Sequence, residues 1–190
     1  FAAITNQGSY SSYSEPGANV LVSSPSDGGS DAITTTSTNN GYTDNFGGTS
    51  SATPLVSGIV ALMLEANPNL SWRDVQHILV NSSDVVDSSS GWFTNGAGHE
   101  FSHDYGFGRI NAESAVALSK TWSNVGDEVS YSASISPGTP IPDAGGGSIS
   151  SQINITQDIT LESIELPIES DHTYAGDLTI TLTSPEGTTA

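Results

Sequence analysis

The sequence predicts an α/β segment followed by an all-β one. Three observations carry this: short apolar strand patterns leading to an almost wholly apolar helix over 49–66, a Pro/Gly-rich break at 136–147, and period-two alternation of isoleucine and leucine beyond that break. Residues 2–5 (AAIT) and 19–25 (NVLVSSP) read as short strands separated by the turn-rich 6–18. Residues 27–48 are rich in Gly, Asn, Ser and Thr, and only 32–36 read as a strand, so this stretch should form a surface hairpin and loop.

The helix over 49–66 carries Leu55, Val56, Ile59, Val60, Leu62, Met63 and Leu64 on nearly all faces, which predicts burial. Pro54 falls early in it, where a missing N–H costs little. Asn67-Pro68-Asn69 stops it, and Ser71 caps a second helix with Asp74 supporting the first turn. Val75, Ile78 and Leu79 make the inner face of that helix, with Arg73, Asp74 and Gln76 facing water. A Gly-rich aromatic loop over 88–108 precedes a short third helix capped by Asn111 and running through Leu118.

The break at 136–147 holds three prolines and four glycines in 12 residues, too many for helix or central strand. After it, Ile153, Ile155, Ile159 and Leu161 share one parity and Ile164, Leu166 and Ile168 the other, so a bulge or turn is expected at Glu162-Ser163. Leu178, Ile180 and Leu182 alternate with threonines before a turn at Pro185-Glu186-Gly187. The pattern predicts an all-β sandwich, incomplete within these residues.

The residues before the apolar helix carry chemistry. Gly47-Gly48-Thr49-Ser50 places a serine at a helix N-terminus, beside backbone N–H groups able to stabilise charge developing on an attacked carbonyl. A serine hydroxyl is a weak nucleophile unaided, so this role demands a histidine base and a carboxylate to orient it.

The pattern resembles the Gly-Thr-Ser-x-Ala-x-Pro signature of subtilisin-like serine proteases, with Ser50 as nucleophile. GTSSATPLVSGIVALMLEANPNLSWRDVQHILVNSS and SHDYGFGRINAESAVAL are similar to the kexin/furin-type proprotein convertase branch, and YAGDLTITLTSPEGT resembles the P (Homo B) domain that follows its catalytic domain. The resemblance implies that residues 1–121 belong to a subtilisin-like α/β catalytic domain and that 122–190 begin a P domain. It implies a secreted, calcium-dependent endopeptidase acting on protein or peptide substrates, and the acidic balance is compatible with cleavage after basic residues. In that family the catalytic histidine and aspartate and the asparagine of the oxyanion hole precede the serine, and 49 residues leave no room for them. An internal fragment, inactive alone and lacking the N-terminal portion of its catalytic domain, is therefore expected. A non-catalytic pseudoprotease or a P-domain adhesion module is the alternative. Tyr13-Ser14-Glu15-Pro16-Gly17 resembles the convertase stretch whose glutamate ligates calcium near the substrate pocket, which makes Glu15 one calcium ligand of a larger set.

Three Lys+Arg against 21 Asp+Glu give a formal charge of −18, which opposes binding to nucleic acid or anionic membranes. With no cysteine, stability cannot come from disulfides, and a bacterial extracellular protein held by calcium fits better. No apolar run is expected to span a membrane, the longest being 58–64.

His99-Glu100-Phe101-Ser102-His103 spells H-E-x-x-H, the zinc motif of metalloproteases. Zinc needs both histidines on one helical face, whereas Gly96, Gly98, Gly106 and Gly108 crowd this stretch, and Arg109 stands where a third histidine would. A polar loop is expected instead. His77 and His172 read as surface or structural residues, and Asp84, Asp87 and Asp143 as solvated carboxylates.

Overall fold

The computed structural model describes residues 1–143 and 146–190. Residues 144 and 145, within the Pro/Gly-rich break, lie outside the described residues. The described chain forms two compact units, one made of Phe1–Gly126 with Leu182–Ala190, the other of Asp127–Thr181.

In the first unit β1 (Ala2–Ile4) and β2 (Ser23–Pro25) pair in parallel, Ala3 opposite Ser24. Both strands are short and buried, as expected for parallel strands covered by helices. The hairpin β3 (Ile33–Ser37) and β4 (Gly41–Phe46) follows, antiparallel and largely exposed, with Asn39 and Asn40 at positive φ in its turn. It ends two residues before helix α1 (Thr49–Ala66). Helices α2 (Trp72–Ser82) and α3 (Ala112–Ser119) complete the layer, and a small antiparallel pair, β5 (Phe93–Thr94) and β6 (Glu100–Phe101), lies between them in sequence.

The core gathers Val22 from the approach to β2, Val56 and Met63 from α1, Ile78 and Leu79 from α2, and Ile110 and Ala115 at α3. The bounds of α1 match the sequence expectation, but its burial does not. Only Ser51, Ala52, Val56 and Met63 are buried, while Leu62 is 49% exposed and Leu55 and Leu64 are also open to solvent. The reason is geometric: β1, β2 and α3 contact one side of α1, and two strands cannot cover a helix all round. By length and composition α1 could cross a bilayer, contrary to the reading that no run reaches that length. It packs against β1, β2 and α3 through its buried residues Ser51, Ala52, Val56 and Met63. Pro54 is its sixth residue, beyond its first turn, so the carbonyl of Ser50 loses the helical N–H that would have bonded it.

Asp74 also departs from expectation. It does complete the capping box on α2, accepting from the Ser71 N–H at 2.7 Å, yet it is 0% exposed. Its other oxygen accepts from the Trp122 indole N–H at 2.9 Å and from the Val125 N–H at 2.8 Å. Burial on its own would raise this carboxyl. The hydrogen bonds from the Ser71 hydroxyl, the Val125 and Ser71 amides and Trp122 outweigh it and hold the group at about 2.

Asp84 and Asp87 are likewise structural and not merely solvated. Arg109 donates to Asp84 at 3.0 Å, with Asn111 beside it, and Asp87 accepts from Ser89 and from the buried Tyr105 hydroxyl. Burial and the Asp87 carboxylate push Tyr105 up to about 12.

In the second unit no strand forms among the described residues 127–181, where sequence alternation anticipates a sandwich. Ile153, Ile155, Ile164, Leu166 and Ile168 are exposed. Alternation supplies a face, but a strand exists only when a neighbour accepts its backbone hydrogen bonds. The one pairing formed late in the described chain is local to the first unit: Leu182 and Ala190 exchange backbone bonds at 2.9 Å around the expected turn at Pro185-Glu186-Gly187. Asp143 is exposed, as expected of a solvated carboxylate, and lies 3.5 Å from the His172 ring within the second unit.

Replacing Asp74 with Ala should destabilise the first unit by about 3 kcal/mol, since four donors lose a charged acceptor. The depressed carboxyl means its contribution is full above the ordinary carboxylate range and disappears as pH falls toward about 2. Urea unfolding of both proteins at several pH values checks this: the difference between them should shrink on acidification.

Candidate active site

The start of α1 is fastened by polar groups from the end of β2. Gly48 is the N-cap at φ 76° and ψ 176°, a conformation reserved for glycine. Its N–H donates to the Asp27 carboxylate at 2.7 Å. Its carbonyl accepts from the Ser51 N–H at 3.0 Å and lies 2.8 Å from the Ser26 hydroxyl. The Ser26 and Ser51 hydroxyls are buried and 2.6 Å apart. Tyr13 reaches over from the preceding loop, and its hydroxyl donates to the Asp27 carboxylate while lying 3.1 Å from Ser26 Oγ. Hydrogen bonds from Tyr13 and then Gly48 hold the Asp27 carboxyl below its ordinary value.

This arrangement explains the double glycine. A Cβ on Gly47 would overlap the Asp27 carboxyl group, so Gly47 must be bare for Asp27 to bond Gly48.

Ser50 is the second residue of α1, exposed, and its hydroxyl has no hydrogen-bond partner among the described residues. No backbone carbonyl among them accepts from the N–H of Thr49 or Ser50, leaving both donors at the helix terminus available. Beside this turn lies a cleft of about 610 Å³ lined by Phe1, Tyr13, Glu15, Pro16, Asn19, Val20, Thr49 and Thr53. The structure thus brings Glu15 to the same cleft as the residue preceding Ser50. Glu15 is exposed, and no group of three or more His, Cys, Asp or Glu side chains able to hold a metal occurs among the described residues. Calcium needs six to eight oxygens, so these residues alone do not make its cage.

None of the histidines bonds to Ser50. His77 lies on α2 and stacks on Trp122, with ring centroids 6.3 Å apart. His99 and His103 flank β6, not a helix: His103 packs edge-on against Phe93 and Phe101, His99 against Phe107, and Glu100 accepts from Thr94. The H-E-x-x-H residues therefore belong to an aromatic-backed hairpin, on which the helical zinc geometry cannot form.

Residues 2–108 match the subtilase (Peptidase S8) family model. The chain belongs to the subtilase family. Residues 161–190 match the proprotein convertase P-domain model. Among the relatives of this subtilase, Furin-1 of Xenopus laevis is 37% identical over 98% of the chain and 25% of that protein. Proprotein convertase subtilisin/kexin type 6 of Homo sapiens is 39% identical over 82% of the chain and 17% of that protein, and kexin of Saccharomyces cerevisiae is 32% identical over 97% and 24%. The crystal structure of a serine protease of Aeromonas sobria superposes with a TM-score of 0.62 at 29% identity, covering 66% of this chain and 30% of that one. The chain spans between about a sixth and a quarter of the length of the curated relatives it matches.

Asp27, Ser26 and Ser51 escaped the sequence reading. A lone aspartate before Gly28 and Gly29 looks like a turn residue, and its partner lies 21 positions away. The available signal was the Gly47-Gly48 pair itself, which implies something pressed against it. Gly47→Ala should cost about 1–3 kcal/mol in stability by displacing Asp27. The double variant Gly47→Ala with Asp27→Gly should cost less than the sum of the two single changes, which a double-mutant cycle of thermal melts measures directly.

Proposed function

We propose that this chain is the nucleophile-bearing portion of a secreted, calcium-dependent serine endopeptidase, with Ser50 as nucleophile. The observation that carries the reading is the exposed, unbonded hydroxyl of Ser50 on a helix N-terminus within the subtilase match. In this reading Ser50 Oγ attacks the carbonyl carbon of the scissile peptide while its proton passes to a histidine supplied by an upstream segment of the protein. An upstream aspartate orients that histidine. The resulting oxyanion is stabilised by the N–H at the start of α1, and collapse expels the amine, which takes the proton from the histidine. Substrates are proteins or peptides, and the carboxylate-rich surface favours basic ones.

The same reading assigns residues 1–121 to the catalytic domain, and makes 122–190 the start of a P-domain sandwich whose remaining strands lie elsewhere in a longer protein. The P-domain match and the exposed, unpaired apolar residues at 153–168 support it. The chain alone, without histidine and aspartate in place, is inactive.

A longer protein restoring the upstream segment should hydrolyse peptides and react with a serine-directed phosphonate. Ser50→Ala should lower its turnover by about 10⁶-fold and abolish labelling, and the 190-residue chain alone should show neither activity. Turnover surviving in Ser50→Ala excludes this nucleophile. A longer protein that folds, binds peptide and never reacts points to a pseudoprotease or an adhesion module.

Glu15 serves as one oxygen ligand of a calcium whose other ligands come from outside this chain. Its exposed carboxylate on the cleft next to Thr49 supports this role. Calcium should raise the melting temperature of the longer protein, and Glu15→Ala should remove most of that rise. An equal loss of stability with and without calcium makes Glu15 a turn residue instead.

A further inference from the structure

We propose that Asp27 is a positioning residue for Ser50: it fixes the Gly48 peptide, and through it the place at which the Ser50 hydroxyl and N–H meet the substrate. The inference rests on Ser50 being the nucleophile. Asp27 touches none of the reacting atoms, and its effect passes along the backbone from Gly48 through Thr49.

Both peptide planes that meet at Gly48 are held. Asp27 takes its N–H at 2.7 Å, and the Ser26 hydroxyl faces its carbonyl at 2.8 Å. A glycine at φ 76° has no side chain to restrict it, so these bonds supply the restraint that sequence does not. No side-chain cap closes the helix start, leaving Asp27 to act as a cap from another segment. Tyr13 then locks Asp27, and Tyr13 also lines the cleft beside Thr49. The space for the carboxylate exists only because Gly47 is bare. A group that merely stabilised the fold would not need to be matched to the residue three places before the nucleophile.

Displacing a reacting group by a fraction of an ångström lowers the rate of the chemical step more than it lowers affinity. In the longer protein, assayed well below the melting temperature of each variant, Asp27→Ala should therefore reduce kcat by about 10- to 100-fold with KM little changed, on top of the stability lost with its hydrogen bonds to Gly48 and Tyr13. Asp27→Asn keeps an oxygen for the Gly48 N–H and should recover most of that loss, and Tyr13→Phe should fall between the two. The rate of inactivation by a small serine-directed phosphonate, which makes few contacts beyond Ser50, should drop in step with kcat. Asp27→Ala with kcat within two-fold of the parent overturns the proposal, as does a loss carried by KM or one that vanishes when only the folded fraction of the variant is counted. Ser50→Ala, assayed alongside, separates the two claims. If it is dead while Asp27→Ala is fully active, only the positioning role falls; if it remains active, the nucleophile assignment falls and takes the positioning role with it.

Discussion

The junction between the end of β2 and the start of α1 is the contact on which the first unit is organised. Ser26 leaves the strand and meets Ser51, buried, at 2.6 Å, and both hydroxyls lie within reach of the Gly48 carbonyl. Two adjacent buried hydroxyls are tolerable only when each has a partner. Here each supplies the other's, with the same carbonyl shared between them. This joins strand to helix without a charge in the interior, and it frees the outer face of the turn, where Ser50 sits, from any structural duty.

Charge is used sparingly and locally in a chain this acidic. Three of its carboxylates secure junctions: Asp27 on the N-cap of α1, Asp74 between α2 and residues 122–125, and Asp84 with Arg109 and Asn111. Each accepts from donors that would otherwise be stranded at a helix end or in a loop. With only three Lys and Arg in the chain, most of this pairing has to come from amides, hydroxyls and an indole. Hydrogen bonds to neutral donors keep their geometry in salt, because they do not depend on long-range attraction.

Much of the helical layer was legible in the sequence because helix ends are locally coded. Gly48 and Asn67 bracket α1, and Ser71 with Asp74 marks the start of α2 within four residues. What the sequence concealed depended on distant partners. Asp74 reads as a surface cap until Trp122 and Val125 fold over it, and Asp27 reads as a loop acid until Gly48 is placed against it. The exposure of Leu55, Leu62 and Leu64 was hidden too, since an apolar helix encodes a wish for cover and not the cover itself. The alternation at 153–168 forms no strand among the described residues for a similar reason: it specifies which way side chains face in a strand, but the strand needs a neighbour to exist. Ser50 was legible as a residue at a helix mouth, yet the network holding that mouth was not.

Pro54 has a mechanical consequence. A continuous ladder would tie the first turn of α1 to the rest of the helix, and bending of the long, half-covered rod would be passed to its tip. The missing N–H removes the rung that would have ended on the Ser50 carbonyl. One rung fewer joins the first turn to the helix body, so the ties of Gly48 and Ser51 to Asp27 and Ser26 carry a larger share of the placement of the Ser50 hydroxyl.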